Sequence, residues 1–178
     1  MNIFYVDANP SVAAECLVDK HVVKMVLESS QLLSTAHRVL DGVQSQVITN
    51  GRKKKVWTLE DARENVMYAA THINHPSAVW VRQSVENYTW LVEHLFSLMD
   101  EYTYRYGKIH KCQGELSYML SSPPKNLEAY DWTPMPSCMD EKYIVSDDPI
   151  VNYRYYYKFG KVDLHAWKNR IPPKWISE

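Results

Sequence analysis

From Val12 to Leu40 apolar side chains recur every three or four residues, with Val22, Val26, Leu33, Ala36 and Leu40 falling on one side. That spacing predicts a long amphipathic helix, because 3.6 residues per turn gather such positions onto a common face. Asn9-Pro10-Ser11 is a start signal, Asp19 marks a kink or a second cap, and Gly42 ends the pattern. The strongest helical pattern runs from Pro76 to Gly107, with Val79, Val81, Val85, Leu91, Leu95, Leu98 and Met99 supplying core. Shorter helices are predicted from Thr58 to about Ala70, from Gly114 to Leu120, and onward from Asp148-Pro149. "NIFYVD" alternates weakly and reads as a short strand or extended arm ending at Asp7. Between Gln44 and Trp57 two β-prone runs flank Asn50-Gly51, which predicts a small hairpin or a mobile loop. "SSPPKN" and "DWTPMPSCMD" are Pro-rich connectors, and "IPPKWISE" reads as an extended tail. The expected fold class is mainly α: a single compact helical domain over residues 1–178, with a short N-terminal strand or arm and a small hairpin.

Composition narrows this picture. A chain of 178 residues with 46% hydrophobic content can bury one core. Only 5 Gly against 13 Tyr and 6 Trp fits helices joined by short loops. The formal net charge of −1 gives no global pull toward nucleic acid or membrane, so any DNA affinity has to come from bases gathered locally. Cys16, Cys112 and Cys138 show no CxxC spacing and read as reduced thiols, which points to the cytoplasm. "MNIFYVD" lacks a basic leader, and no apolar run reaches membrane-spanning length, so no membrane partner is expected.

The polar side of the first long helix is the main chemical signal. His21, Lys24, Glu28, Gln31, Thr35 and Arg38 are spaced 3, 4, 3, 4 and 3 apart and share one face. An amphipathic helix with a solvated side accounts for them. So does a reactive stripe, because a Lys beside a Glu in a desolvated cleft can lose its proton and act as a nucleophile. A second cluster is "THINHPSAVWVRQS". His72 and His75 form HxxH, but no further ligands stand at metal-site spacing, so neither a metal nor a cofactor is expected. Asn74 or His75 suits an N-cap ahead of Pro76, and the free N–H groups of such a start favour phosphate. Arg82 and Gln83 follow, able to reach phosphate or a base edge. The loop bases Arg52 and Lys53, together with Arg38, are further candidate DNA contacts. In "YRYYYKFGK" the interleaved Arg154, Tyr156 and Lys158 suit stacking and phosphate contact, while about half of the tyrosines should pack on the core. Trp167 and Trp175 read as core staples.

These motifs, in this order, resemble the phage pyrimidine-dimer DNA glycosylase/AP-lyases, the endonuclease V type of T-even phages. Asp19-Lys20-His21 followed by Glu28 seven residues after the His, Asn74-His75-Pro76 before a later helix, and "YRYYYKFGK" near the end carry the resemblance. Small phage proteins of this length look similar too. The resemblance implies a compact, mostly helical fold that binds double-stranded DNA, bends it and flips a base. It makes Glu28 the catalytic carboxylate, with His21 beside it. In that family the nucleophile is the α-amine exposed when the initiator Met is removed. Here Asn2 is a bulky neighbour expected to leave Met1 in place, which makes Lys24 and Lys20 alternative amines. The family's Arg before the Glu is Leu27, and Gln31 stands where another base is expected, so the phosphate grip differs. Two other functions stay open at this point: a phage transferase that hypermodifies a DNA base on the same fold, and a non-enzymatic phage protein that binds a host factor through its aromatic surface.

Overall fold

The N-terminal residues thread through the centre of the molecule. Ile3 and Val6 are fully buried and Phe4 and Tyr5 nearly so, yet they form no strand. The computed structural model describes residues 1–177, with eight α-helices and one two-stranded antiparallel sheet among them. Helix α1 (Pro10–Cys16) starts on Asn9, whose side chain accepts the N–H groups of Ser11 and Val12. The chain breaks at Leu17-Val18 and resumes as α2 (Asp19–Asp41). Asp19 is therefore the first residue of the second helix rather than a cap. Its carboxylate accepts the Lys168 N–H and pairs with Arg105. Arg105 also donates to the carbonyls of Glu15 and Leu17, which the helix break leaves without partners.

Strands β1 (Val43–Thr49) and β2 (Arg52–Thr58) pair through a two-residue turn. Asn50 and Gly51 both have positive φ, 51° and 72°, as the tight hairpin turn demands. The loop is thus a regular hairpin. The helix expected over Thr58–Ala70 shrinks to one turn, α3 (Arg63–Val66). Beyond it the backbone turns extended, because the carbonyls of Met67 and Tyr68 are taken by the Arg38 guanidinium instead of by a further helical turn.

The helix expected over Pro76–Gly107 divides into α4 (Pro76–Trp80) and α5 (Val85–Tyr106). Ser84 starts the second piece by accepting the Asn87 N–H, and Gly107 ends it in the left-handed region at φ 64°. Asn87 then reaches back to the Trp80 carbonyl, so the break is fixed on both sides. Helices α2 and α5 form the centre of the core, with α1 packed on α5. Helix α6 (Glu115–Leu120) covers one end. Helix α7 (Pro149–Gly160), capped by Asp148, lies over the N-terminal arm. The tail closes in a short helix, α8 (Lys174–Ser177), rather than running extended. Trp167 and Trp175 pack half-buried against the core as expected, and the Trp167 indole also donates to the Cys16 carbonyl. No helix among the described residues is long and apolar enough to cross a membrane.

Candidate active site

Most of the polar stripe of α2 is turned away from water, Lys24 excepted. Thr35 is fully buried, and His21, Glu28 and Arg38 are buried too. The segment 67–75 covers the stripe and runs antiparallel to it. Arg38 meets Met67 and Tyr68, and Thr35 exchanges hydrogen bonds with Thr71. His75 reaches the neighbourhood of Glu28, close enough for that carboxylate to act on its charge.

Arg38 corrects an expectation. Its guanidinium makes five hydrogen bonds, to the carbonyls of Trp57, Glu64, Met67 and Tyr68 and to the Glu64 carboxylate. A guanidinium has five N–H donors. All are used inside the protein, so Arg38 staples loops to α2 and offers nothing to a phosphate.

The N-terminus converges on Glu28. The carboxylate accepts the Asn2 backbone N–H at 3.1 Å, and the Met1 α-amine lies 3.9 Å from the same oxygen, Oε2. The other oxygen, Oε1, pairs with Lys24 Nζ at 3.1 Å. Lys24 reaches in from outside with 64% of its side chain exposed, whereas the Met1 side chain is 3% exposed. Two kinds of amine therefore meet one buried carboxylate.

Asn2 is what holds the arm there. Its side-chain oxygen accepts the N–H groups of Ile3 and Phe4, and its amide nitrogen donates to the Cys138 carbonyl at 2.8 Å. The Tyr153 hydroxyl lies 2.9 Å from the same Asn2 oxygen and accepts the Cys138 N–H. Phe4 then adopts φ 58°, a conformation that costs an ordinary residue of order 1–3 kcal/mol. Packing sustains it: the ring stacks on His21 at 4.1 Å and meets Tyr157 edge-on. Arg154 contributes by donating to the Val6 carbonyl and pairing with Asp7. It thus braces the arm, with its other terminal nitrogen making no hydrogen bond among the described residues.

His21 is likewise placed differently from the expectation. It stands two helical turns from Glu28, about 10 Å along the axis, with its ring between Phe4 and a hydrogen bond to Tyr157. Burial, with Lys161 and Lys24 adding repulsion, pushes its pKa down to about 3, so the ring is neutral at physiological pH. His75 caps α4 through Nδ1, accepting the Ser77 N–H. Burial lowers its pKa, and the N-terminal ammonium acts in the same direction. Beside this helix start lies a cavity of about 340 Å³ lined by Asn74, Pro76, Val79, Gln83, Pro134 and Pro136. Gln83 accepts from the Thr133 hydroxyl at its edge, and half-buried Arg82 donates to the Ala78 carbonyl. Tyr156 lies half-buried between Tyr143 and Lys161, and Lys158 lies half-buried beside the Phe159 ring. Arg52 and Lys53 are exposed on the hairpin.

The sequence model of the pyrimidine dimer DNA glycosylase family matches residues 1–113. The chain belongs to that family. The matched part holds the arm, the stripe of α2, the hairpin, the Asn74-His75-Pro76 start and α5. Searches of curated proteins and of solved structures return no match. In this glycosylase-family chain, part of the site comes from outside the matched region, since Cys138, Tyr153 and Tyr157 all lie beyond residue 113. The sequence carried a signal for this in Tyr153 and Tyr157, four apart and so on one helix face, the two tyrosines of "YRYYYKFGK" that are fully buried. The role of Asn2 had no signal beyond its polarity in an apolar arm.

Proposed function

We propose that this glycosylase-family protein removes a damaged pyrimidine from double-stranded DNA through an imine formed by its N-terminal amine, with Glu28 as the catalytic carboxylate. The observation that carries the reading is the convergence of the residue-1 and residue-2 nitrogens on Glu28 Oε2, at 3.9 and 3.1 Å. A chain keeping Met1 presents its α-amine there. A chain that has lost it presents the amine of Asn2, already within hydrogen-bond reach of the carboxylate. The amine attacks C1′ of the damaged nucleotide, the glycosidic bond breaks, and its electron pair leaves with the base. The nitrogen then gives up one proton as the sugar ring opens, leaving a protonated imine, and Glu28 is placed to receive that proton and pass it to the sugar oxygen. Abstraction of a C2′ proton from the imine then expels the 3′ phosphate, the lyase step.

His75 and the start of α4 lie close enough to take a flanking phosphate, with Arg82 as a second contact. Tyr156 and Lys158 supply an aromatic and a base on α7, the helix whose Tyr153 holds Asn2. The cavity with Asn74 and Gln83 offers what a flipped base needs, apolar walls with amides for its hydrogen-bonding edge. His21 acts through Phe4 and the arm as a positioning residue.

Borohydride reduction of the imine on an abasic duplex, followed by peptide mapping, tests the nucleophile. The adduct is expected on the N-terminal peptide, and Lys24→Met should still be trapped. An adduct on Lys24 that vanishes in Lys24→Met would overturn the assignment. Mass measurement of the intact protein shows which residue bears the amine.

A further inference from the structure

The hairpin takes no part in the site around Glu28, and its chemistry differs from that of the rest of the chain. Of 20 Lys and Arg and 21 Asp and Glu, four bases and no acid fall between Gly42 and Thr58, leaving 16 against 21 elsewhere. The hairpin is exposed on both faces from Val43 to Lys55. A two-stranded ribbon of this kind gains little stability by itself in water. It is held at its base. Arg38 donates to the Trp57 carbonyl, Glu64 accepts the Leu59 N–H, and Gly42 packs so tightly that a Cβ there would stand 2.4 Å from the Arg38 carbonyl oxygen. The same Arg38 belongs to the stripe that carries Glu28, so α2 links the base of the ribbon to the site.

The register decides what such a ribbon fits. Thr49 pairs with Arg52, Ile48 with Lys53, Val47 with Lys54 and Gln46 with Lys55. Side chains alternate along a strand. Arg52 and Lys54 therefore project from one face, and Lys53 and Lys55 from the other. A flat anionic surface, such as a membrane, would reward one face and leave the other pair unpaired. A duplex groove has a phosphate wall on each side, and the major groove admits a two-stranded ribbon. Gln44, Ser45 and Gln46 on the uncharged strand can hydrogen-bond in a groove, and Ile48, 75% exposed, supplies an apolar contact near the tip.

We propose that the hairpin is a second DNA-binding element, a ribbon that enters a groove of the duplex with cations toward both phosphate walls. For the identity of the polyanion this rests on the DNA-glycosylase reading. The test is fluorescence anisotropy with a short undamaged duplex across a salt series, using R52Q/K53Q/K54Q/K55Q and the paired variants R52Q/K54Q and K53Q/K55Q. All four positions are exposed, so melting temperatures should match the wild type. The quadruple variant is expected to bind at least about tenfold more weakly, with its log–log salt slope reduced by up to about 3.6, close to 0.9 per lost phosphate contact. Each pair should remove about half of that slope. Wild-type affinity and slope in the quadruple variant would overturn the hairpin proposal. So would a loss confined to one pair, or unchanged duplex binding with lost binding to phosphatidylserine vesicles. Incision of ultraviolet-irradiated DNA by the wild type, measured in parallel, reports on the glycosylase reading separately. A wild type that incises but shows no hairpin dependence refutes this inference alone.

Discussion

Glu28→Gln is expected to lower turnover on dimer-containing DNA by roughly three orders of magnitude, in the range general acid–base groups contribute, while duplex affinity stays near wild type and the protein still folds. The substitution keeps the shape of the side chain. It replaces one of two acceptor oxygens with an NH₂ group, yet both oxygens face donors: the residue-2 N–H and Met1 amine on one side, Lys24 on the other. Whichever way the amide turns, one donor faces another donor. The stability lost is expected to be about 1–3 kcal/mol, the cost of leaving a buried donor without its acceptor, since Glu28 itself is buried. The chemistry loses its proton carrier altogether. Single-turnover incision kinetics alongside thermal melting separate the two effects. Wild-type turnover in Glu28→Gln would remove the carboxylate from the mechanism.

Acid should destabilise this protein well above the pH at which carboxylates titrate. Burial pushes His21 down to about 3, and His37 and His94 down to about 4. His37 is held neutral between the Tyr88 hydroxyl and the Arg63 guanidinium, and His94 Nδ1 lies against the Pro10 carbonyl, with Nε2 buried and unpartnered. In the unfolded chain each ring titrates near 6.5. Below that pH the unfolded state binds more protons than the folded state, so stability is fully present above about 6.5 and is lost as pH falls toward the folded values. With three such rings the slope near pH 5 approaches about 4 kcal/mol per unit. Urea unfolding midpoints measured from pH 7 to pH 4.5 should fall steeply below 6.5, and replacing one ring with Gln should remove about a third of the slope. A flat midpoint over that range would contradict the burial of these histidines as neutral groups.

What the sequence revealed follows the range of the interactions involved. The caps at Asn9 and Asp148, the left-handed Gly107 and the Asn50-Gly51 turn depend on neighbours a few residues away, and local pattern found them. Glu28 and His75 were legible through spacing and helix-start chemistry. The break at Ser84 was missed because apolar periodicity continues across it, although Ser84 with Glu86 in the following turn was a visible start signal. The extended run after Val66 could not be read locally. Its sequence is compatible with helix, and Arg38, some thirty residues upstream, decides the matter by claiming its carbonyls. The same Arg38 looked like a free cation because a sequence does not show which carbonyls a fold leaves over. The clamp on Asn2 lay furthest from reach, since its partners stand 136 and 151 residues away.

That separation also sets a schedule. Residues 1–7 leave the ribosome long before Cys138 and Tyr153 exist, and at about 5–20 residues per second the arm stays uncovered for roughly ten seconds or more. Throughout that interval the first residues are open to any peptidase that trims nascent chains. Once α7 closes over them, the Met1 side chain is almost wholly enclosed. On the proposed mechanism the nitrogen that reacts is therefore chosen during synthesis, and a finished molecule carries forward whichever terminus it had when its last third folded.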